Sequence, residues 1–228
     1  MVAHNPSANT YLVVWDDETE GDIEGALLND SGGTVGPAFN VSDGVDARRN
    51  PAIAFSPDDS HYLVVFEYQT LDGTDIYGRR LAADGSRPGA DFAISTAAGD
   101  QVRPDVVYND YDDVYLVVWE DERADQGDIY GTRVLVNETV LTEFPISTAS
   151  DAQAHAAAAW NSDDNEYLVV WHDYRDSGTN GSDIYAQRIG NTGTPLGSAF
   201  RLSSATLPDQ HMYARVQYVS DHGRYVVT

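Results

Sequence analysis

The chemistry-bearing residues of this chain recur in a fixed order. An aromatic ring, an acid two positions on and an arginine two further stand at Trp119, Asp121 and Arg123, and again at Trp171, Asp173 and Arg175; Trp15 and Asp17 repeat the ring and the acid. Alternate residues of an extended strand share a face, so each set lays a ring beside a carboxylate and a guanidinium. Such a face can stack a sugar and hydrogen-bond its hydroxyls, which makes these residues the candidate ligand-binding set. The same geometry also serves a structural end. The indole can fill a core while the acid and arginine pair to fix a hairpin, and recurrence in every copy is what a stacking requirement produces.

The loops after these sets are acidic. Asp22, Asp125, Asp128, Asp176 and Asp183 are the positions where a hard cation such as Ca²⁺ would find carboxylate oxygens. None has the EF-hand spacing, and the plainer reading is a solvated acidic rim. Ca²⁺ is the one cofactor these loops suggest. A glycoside hydrolase or lyase would instead need a pair of carboxylates in a central funnel. Asp105 is the acid on a strand expected to line such a funnel, and His155 and His211 precede the same strand in successive copies. No asymmetric catalytic constellation stands out, and no zinc-protease, nucleophile-elbow or phosphate-loop motif occurs.

The charge is lopsided. The chain has 228 residues, 37 acids against 13 basic residues, all of them Arg, and a net charge of −24. That charge argues against nucleic acid and anionic membranes as partners. It also suits a salty setting, where screening relieves self-repulsion. With no Cys, disulfide scaffolds, zinc ribbons and thiol nucleophiles are excluded. No stretch approaches the roughly 20 apolar residues of a membrane span, and no secretion signal is visible after Met1.

The elements that must position these residues form a repeat. Tyr-Leu-Val-Val-aromatic occurs at Tyr11–Trp15, Tyr62–Phe66, Tyr115–Trp119 and Tyr167–Trp171, and Tyr225-Val-Val begins a fifth copy. Asp-Ile-Tyr (Asp22-Ile-Glu in the first copy) and Phe-x-aliphatic-Ser follow each full copy, and an apolar run precedes each Tyr. Each marker is short, rich in β-branched and aromatic residues and bounded by turn residues, so each reads as a strand. In the third copy the four strands a to d are Val106–Asn109, Tyr115–Asp121, Asp128–Leu135 and Phe144–Thr148. Strand b is apolar on both faces, as in the middle of stacked sheets. The Ala156–Ala159 run falls where the repeat requires strand a and is read as strand.

Four antiparallel strands per repeat of about 50 residues is the pattern of a propeller blade. The fold class expected is therefore all-β: one β-propeller domain, or propeller fragment, over 1–228. Its repeats span about 1–50, 51–103, 104–155 and 156–210, with a partial fifth over 211–228. That makes four complete blades and a two-stranded remainder. An unpaired terminal strand would be a template for association, so a homo-oligomer through this edge is expected.

The best copy, Tyr115-Leu-Val-Val-Trp119-Glu-Asp121-Glu-Arg123 followed by Asp128-Ile-Tyr-Gly131-Thr-Arg133, resembles the repeated β-propeller segments of large secreted or surface proteins of bacteria and archaea. The second copy departs from the pattern with Phe66, Tyr68 and Thr70, and the first with Thr19 and Leu27. The resemblance implies an extracellular or cell-surface module. Joined to the repeat, it gives the functional expectation. That is a non-catalytic binding or structural module, with glycans or other surface proteins as partners. A glycoside hydrolase or lyase and a self-assembling unit are the alternatives.

Overall fold

The computed structural model describes residues 1–124, 126–175, 181–203 and 213–228. The described residues are all-β, with a single three-residue 3₁₀ turn among them at Ser220–His222. The first sheet runs β1 (Val2–Asn5), β2 (Thr10–Asp17), β3 (Asp22–Leu28) and β4 (Phe39–Ser42). The second runs β5 (Arg48–Ser56), β6 (His61–Gln69), β7 (Thr74–Ala82) and β8 (Phe92–Ser95). The third runs β9 (Gln101–Asn109), β10 (Val114–Asp121), β11 (Asp128–Leu135) and β12 (Phe144–Ser147). The fourth runs β13 (Gln153–Asn161), β14 (Glu166–Asp173), β15 (Asp183–Gly190) and β16 (Pro195–Arg201), and β17 (Val216–Val219) pairs only with β18 (Arg224–Val227). All pairings are antiparallel between chain neighbours.

The repeat therefore maps onto sheets as the sequence predicts, and Ala156–Ala159 is strand. Two boundaries differ. In the fourth sheet strand d spans Pro195–Arg201 and ends within its Phe200–Ser203 marker. Strand a is longer than its apolar run, beginning at Gln101 and not at Val106. The added part is polar and irregular, so hydrophobic pattern alone does not reveal it.

Core packing explains why strand b is apolar on both faces. All eight residues of β10 and of β14 are buried. In β6, Tyr62, Val64 and Phe66 pack with Leu12, Val14 and Ile23 of the first sheet. The alternate residues Leu63 and Val65 pack with Val106, Val117 and Trp119 of the third. A third cluster joins the third and fourth sheets through Leu116, Val118 and Trp171, and a fourth joins Ala157 and Val170 to Ala214, Val216 and Val227. Each large side chain buried this way contributes roughly 1.5–3 kcal/mol. Among the described residues no core cluster joins the first sheet to the last, so the sheets follow one another without closing.

The first strands of successive sheets lie side by side, β1 against β5, β5 against β9, β9 against β13 and β13 against β17. The a–b turns are Asx turns: Asn109 Oδ1 accepts from the backbone N–H of Tyr111 and Asp112, and Asn161 Oδ1 does the same for Asp163 and Asp164. Side-chain oxygens of this kind fix tight polar turns.

Candidate functional site

Each long inner strand carries a bulge. The register slips between Arg49 and Ala52 in β5, opposite Val118 to Glu120 in β9, and between Ala154 and Ala157 in β13. The residue within the bulge is left-handed although it is not glycine: Asn50 at φ 49°, Arg103 at 52° and His155 at 55°, with Tyr213 at 65° before β17. Such a conformation costs about 1–3 kcal/mol and persists only where surrounding structure enforces it.

The enforcing residue is the one after the strand-b aromatic. Glu67 Oε1 accepts from the backbone N–H of Arg103 at 2.7 Å and from Asn50 Nδ2 at 2.8 Å. Glu120 accepts from the backbone of His155 and, at 2.7 Å, from the Arg103 guanidinium. His172 Nε2 accepts the backbone N–H of Tyr213. The second, third and fourth sheets thus each grip the left-handed residue of the sheet that follows.

The bulges surround an axial cavity of about 380 Å³ whose walls come from all five sheets. Two positions beyond each left-handed residue comes an equivalent position of the inner strand. Ala52, Asp105 and Ala157 pair there with Val65, Val118 and Val170. Arg215 pairs with Thr228, and Met1 with Val14, in the same way. The repeat is therefore broken at the axis: Met1, Ala52, Asp105, Ala157 and Arg215 occupy equivalent places. The sequence-based expectation that no asymmetric constellation exists is corrected here. The asymmetry lies within strand a, ahead of or at the edge of its apolar run.

Asp105 Oδ2 accepts the backbone N–H of Ala158 at 3.0 Å. Desolvation nonetheless raises its carboxyl above the usual range, opposed by that hydrogen bond and by the Arg215 charge. Desolvation also lowers His155 to about 4, with help from Arg103 and Arg215. His172 is lowered to about 4 by burial and by His155. Both imidazoles are neutral at neutral pH, and because His172 Nε2 accepts, its proton sits on Nδ1. The His155 ring lies 5.0 Å from His172 and 4.9 Å from Tyr213. Burial raises the Glu120 carboxyl, against the pull of Arg103. Asp16 also lines the cavity; its side chain makes no hydrogen bond or ion pair among the described residues, and its charge acts on the Met1 ammonium.

The sequence-derived ligand residues fall mostly elsewhere. Trp119 and Trp171 are fully buried, as are Asp121 and Asp173. Trp119 Nε1 donates to Asp121 at 2.8 Å, and Arg123 clasps the same carboxylate at 2.7 Å through both Nε and a terminal nitrogen. Trp171, Asp173 and Arg175 repeat this arrangement. Arg123 and Arg175 then lie over Tyr130 and Tyr185. These sets are hairpin locks with no indole face open to a ligand. Trp15 differs: it is half-buried, donates across the pair to Glu24 at 2.9 Å, and lines the cavity. Asp17 caps its own turn at Thr19.

Of the cation candidates, Asp22 accepts from Asn40 and Gly44, Asp183 is held by Ser203 and Arg201, and burial beside Asp121 raises the Asp128 carboxyl. Asp125 and Asp176 lie outside the described residues, as does His211. Among the described residues no three His, Asp or Glu converge as metal ligands. Sequence reasoning missed Asp16, Arg103 and Arg215. The signal was present as a mismatch, since one aligned position reads Ala, Asp, Ala and Arg in successive copies.

No protein-family model matches the chain, and a search of curated proteins finds no match. Solved structures do resemble it in fold. The GH93 α-L-arabinofuranosidase of Fusarium graminearum, in complex with arabinobiose, superposes with a TM-score of 0.71 at 12% identity, over 100% of this chain and 73% of that one. A thermostable family-43 glycoside hydrolase gives 0.57 at 13% identity, over 89% and 75%. An endo-arabinase from Bacteroides thetaiotaomicron gives 0.56 at 12% identity, over 100% and 86%. The fold is that of propeller-type glycoside hydrolases. No helix among the described residues is long and apolar enough to cross a membrane.

Proposed function

We propose that this chain is a carbohydrate-active propeller module that hydrolyses glycosidic bonds in its axial cavity. One observation carries the reading: Asp105 and Asp16 are the carboxylates that line this cavity, in unlike surroundings. Asp105 is desolvated and biased toward its protonated form, which suits a general acid that protonates the leaving oxygen. Asp16, whose side chain accepts no hydrogen bond among the described residues, suits the base that takes a proton from water as it attacks the anomeric carbon. Trp15 offers the aromatic edge against which a sugar ring can rest. The solved structures of the same fold support the class, since their names include arabinofuranosidase and endo-arabinase.

The five sheets are read as blades, the two-stranded one being partial. The repeat resemblance supports an extracellular or surface setting, and β18 remains the edge through which copies could pair. The test is release of reducing ends from arabinan, arabinoxylan and xylan by the purified chain. Asp105→Asn and Asp16→Asn should each lower the rate about 100-fold or more. Oligosaccharide binding without turnover would return the chain to a non-catalytic binding module. Neither binding nor turnover would end the carbohydrate reading.

A further inference from the structure

The cavity holds cations that the hydrolytic reading does not use. This is a chain with 37 acids and 13 arginines, in which nearly every arginine near a carboxylate is taken. Arg48, Arg79, Arg80, Arg87, Arg123, Arg175, Arg188 and Arg201 all form ion pairs. Arg215 stands at the axial position equivalent to Asp105, lines the cavity, and has no hydrogen bond or ion pair from its guanidinium among the described residues. Arg103 lines the same cavity with its side chain 44% exposed. Only one of its terminal nitrogens is engaged, by Glu120 at 2.7 Å.

A guanidinium offers donors in a planar fork that matches a carboxylate. Both forks here retain free donors. The other groups do not cancel them. The neighbouring imidazole of His155 is neutral, and Asp105 is biased toward its neutral acid. Asp105 and Asp16 are the carboxylates that line the cavity, and neither forms an ion pair with Arg103 or Arg215 among the described residues. The surrounding surface is strongly negative, so an anion would be held at the cavity by contact and not drawn in by the overall field.

We infer that the axial cavity selects a carboxylate-bearing glycan, a uronic-acid sugar whose carboxylate is taken by Arg215 with Arg103 beside it. This rests on the carbohydrate reading above and names its substrate class.

Calorimetry on the full chain tests it with oligogalacturonate, its methyl ester, and neutral arabino- and xylo-oligosaccharides. The acid form should bind about tenfold to a hundredfold tighter than the ester. Arg215→Gln should bring the two together, and Arg215→Lys should restore part of the difference. Equal binding of acid, ester and neutral oligomers would overturn the acidic-sugar inference while leaving the carbohydrate reading intact. Binding of none of them would overturn both. Should Arg215→Gln fail to fold, the acid-against-ester comparison on the unaltered chain decides the matter.

Discussion

Asp105 Oδ2 accepts the backbone N–H of Ala158 across the gap between two inner strands, at 3.0 Å. The carboxylate is thus both a candidate proton donor and a strut between sheets. Asn at this position keeps an acceptor for Ala158, whereas Ala does not. Asp105→Asn should therefore keep the thermal midpoint at or above that of the parent while lowering turnover about 100-fold or more, and Asp105→Ala should lose about 1–3 kcal/mol in urea unfolding. The pH dependence follows from the raised carboxyl. Ionising Asp105 is harder in the folded chain than in the unfolded one. Its contribution to stability is largest when protonated and falls as pH rises from the ordinary carboxylate range through its folded pKa. Asp105→Asn should flatten that part of the profile.

Asp121 is fully buried between the Trp119 indole N–H and the Arg123 guanidinium. Removing it strands the indole N–H and the Arg123 Nε, while Glu143 keeps both terminal nitrogens of the guanidinium. Asp121→Ala should cost about 2–4 kcal/mol, from donors left buried without an acceptor. Asp17→Ala, at the corresponding place in the first copy, removes only a turn cap at Thr19 and should cost about 0.5–2 kcal/mol. Urea midpoints of the two variants check the contrast, and glycan affinity should be unmoved by either substitution in molecules that remain folded.

This contrast shows what was legible in the sequence. The period of the repeat, the strand assignments and the polar Asx turns follow from residue types alone, because burial on both faces of strand b leaves an unmistakable apolar run. Trp119, Asp121 and Arg123 were visible as a unit, but their spacing could not say whether the indole faced a ligand or a core. That depends on the neighbouring sheet, which covers Trp119 and leaves Trp15 half-exposed. The bulges were not legible at all. Asn50, Arg103, His155 and Tyr213 share no residue type; what unites them is a left-handed backbone, held in the last three from strand b of the preceding sheet by Glu67, Glu120 and His172.

The His172 grip on Tyr213 requires a neutral imidazole, since a protonated ring has no acceptor left. Both His155 and His172 are lowered from 6.5 to about 4. A histidine with a depressed folded pKa binds its proton more readily when unfolded. Stability is therefore intact above about 6.5 and falls as pH drops toward 4. Thermal midpoints across this window should decline in the parent chain and decline less in a His155→Gln, His172→Gln double variant. A parent profile that is flat from pH 6.5 to 4 would contradict the placement of these rings.

Four equivalent turn positions between strands c and d give a last comparison. Gly32, Gly85, Glu138 and Gly193 all have positive φ, of 80°, 83°, 71° and 90°. An added Cβ at Gly32 meets nothing within 4 Å, while at Gly193 it would sit 2.5 Å from Phe144 of the preceding sheet. Gly32→Ala therefore incurs only the backbone strain, of about 1 kcal/mol. Gly193→Ala adds a collision with a ring that packs against the core shared by the third and fourth sheets, and should cost about 1–3 kcal/mol more. Glu138→Gly should run the other way, relieving strain at an exposed turn and raising the urea midpoint slightly. The order Gly193→Ala below Gly32→Ala below the parent below Glu138→Gly tests sheet-to-sheet packing without touching the cavity, since the turn strain is common to these three positions and only Gly193 approaches Phe144.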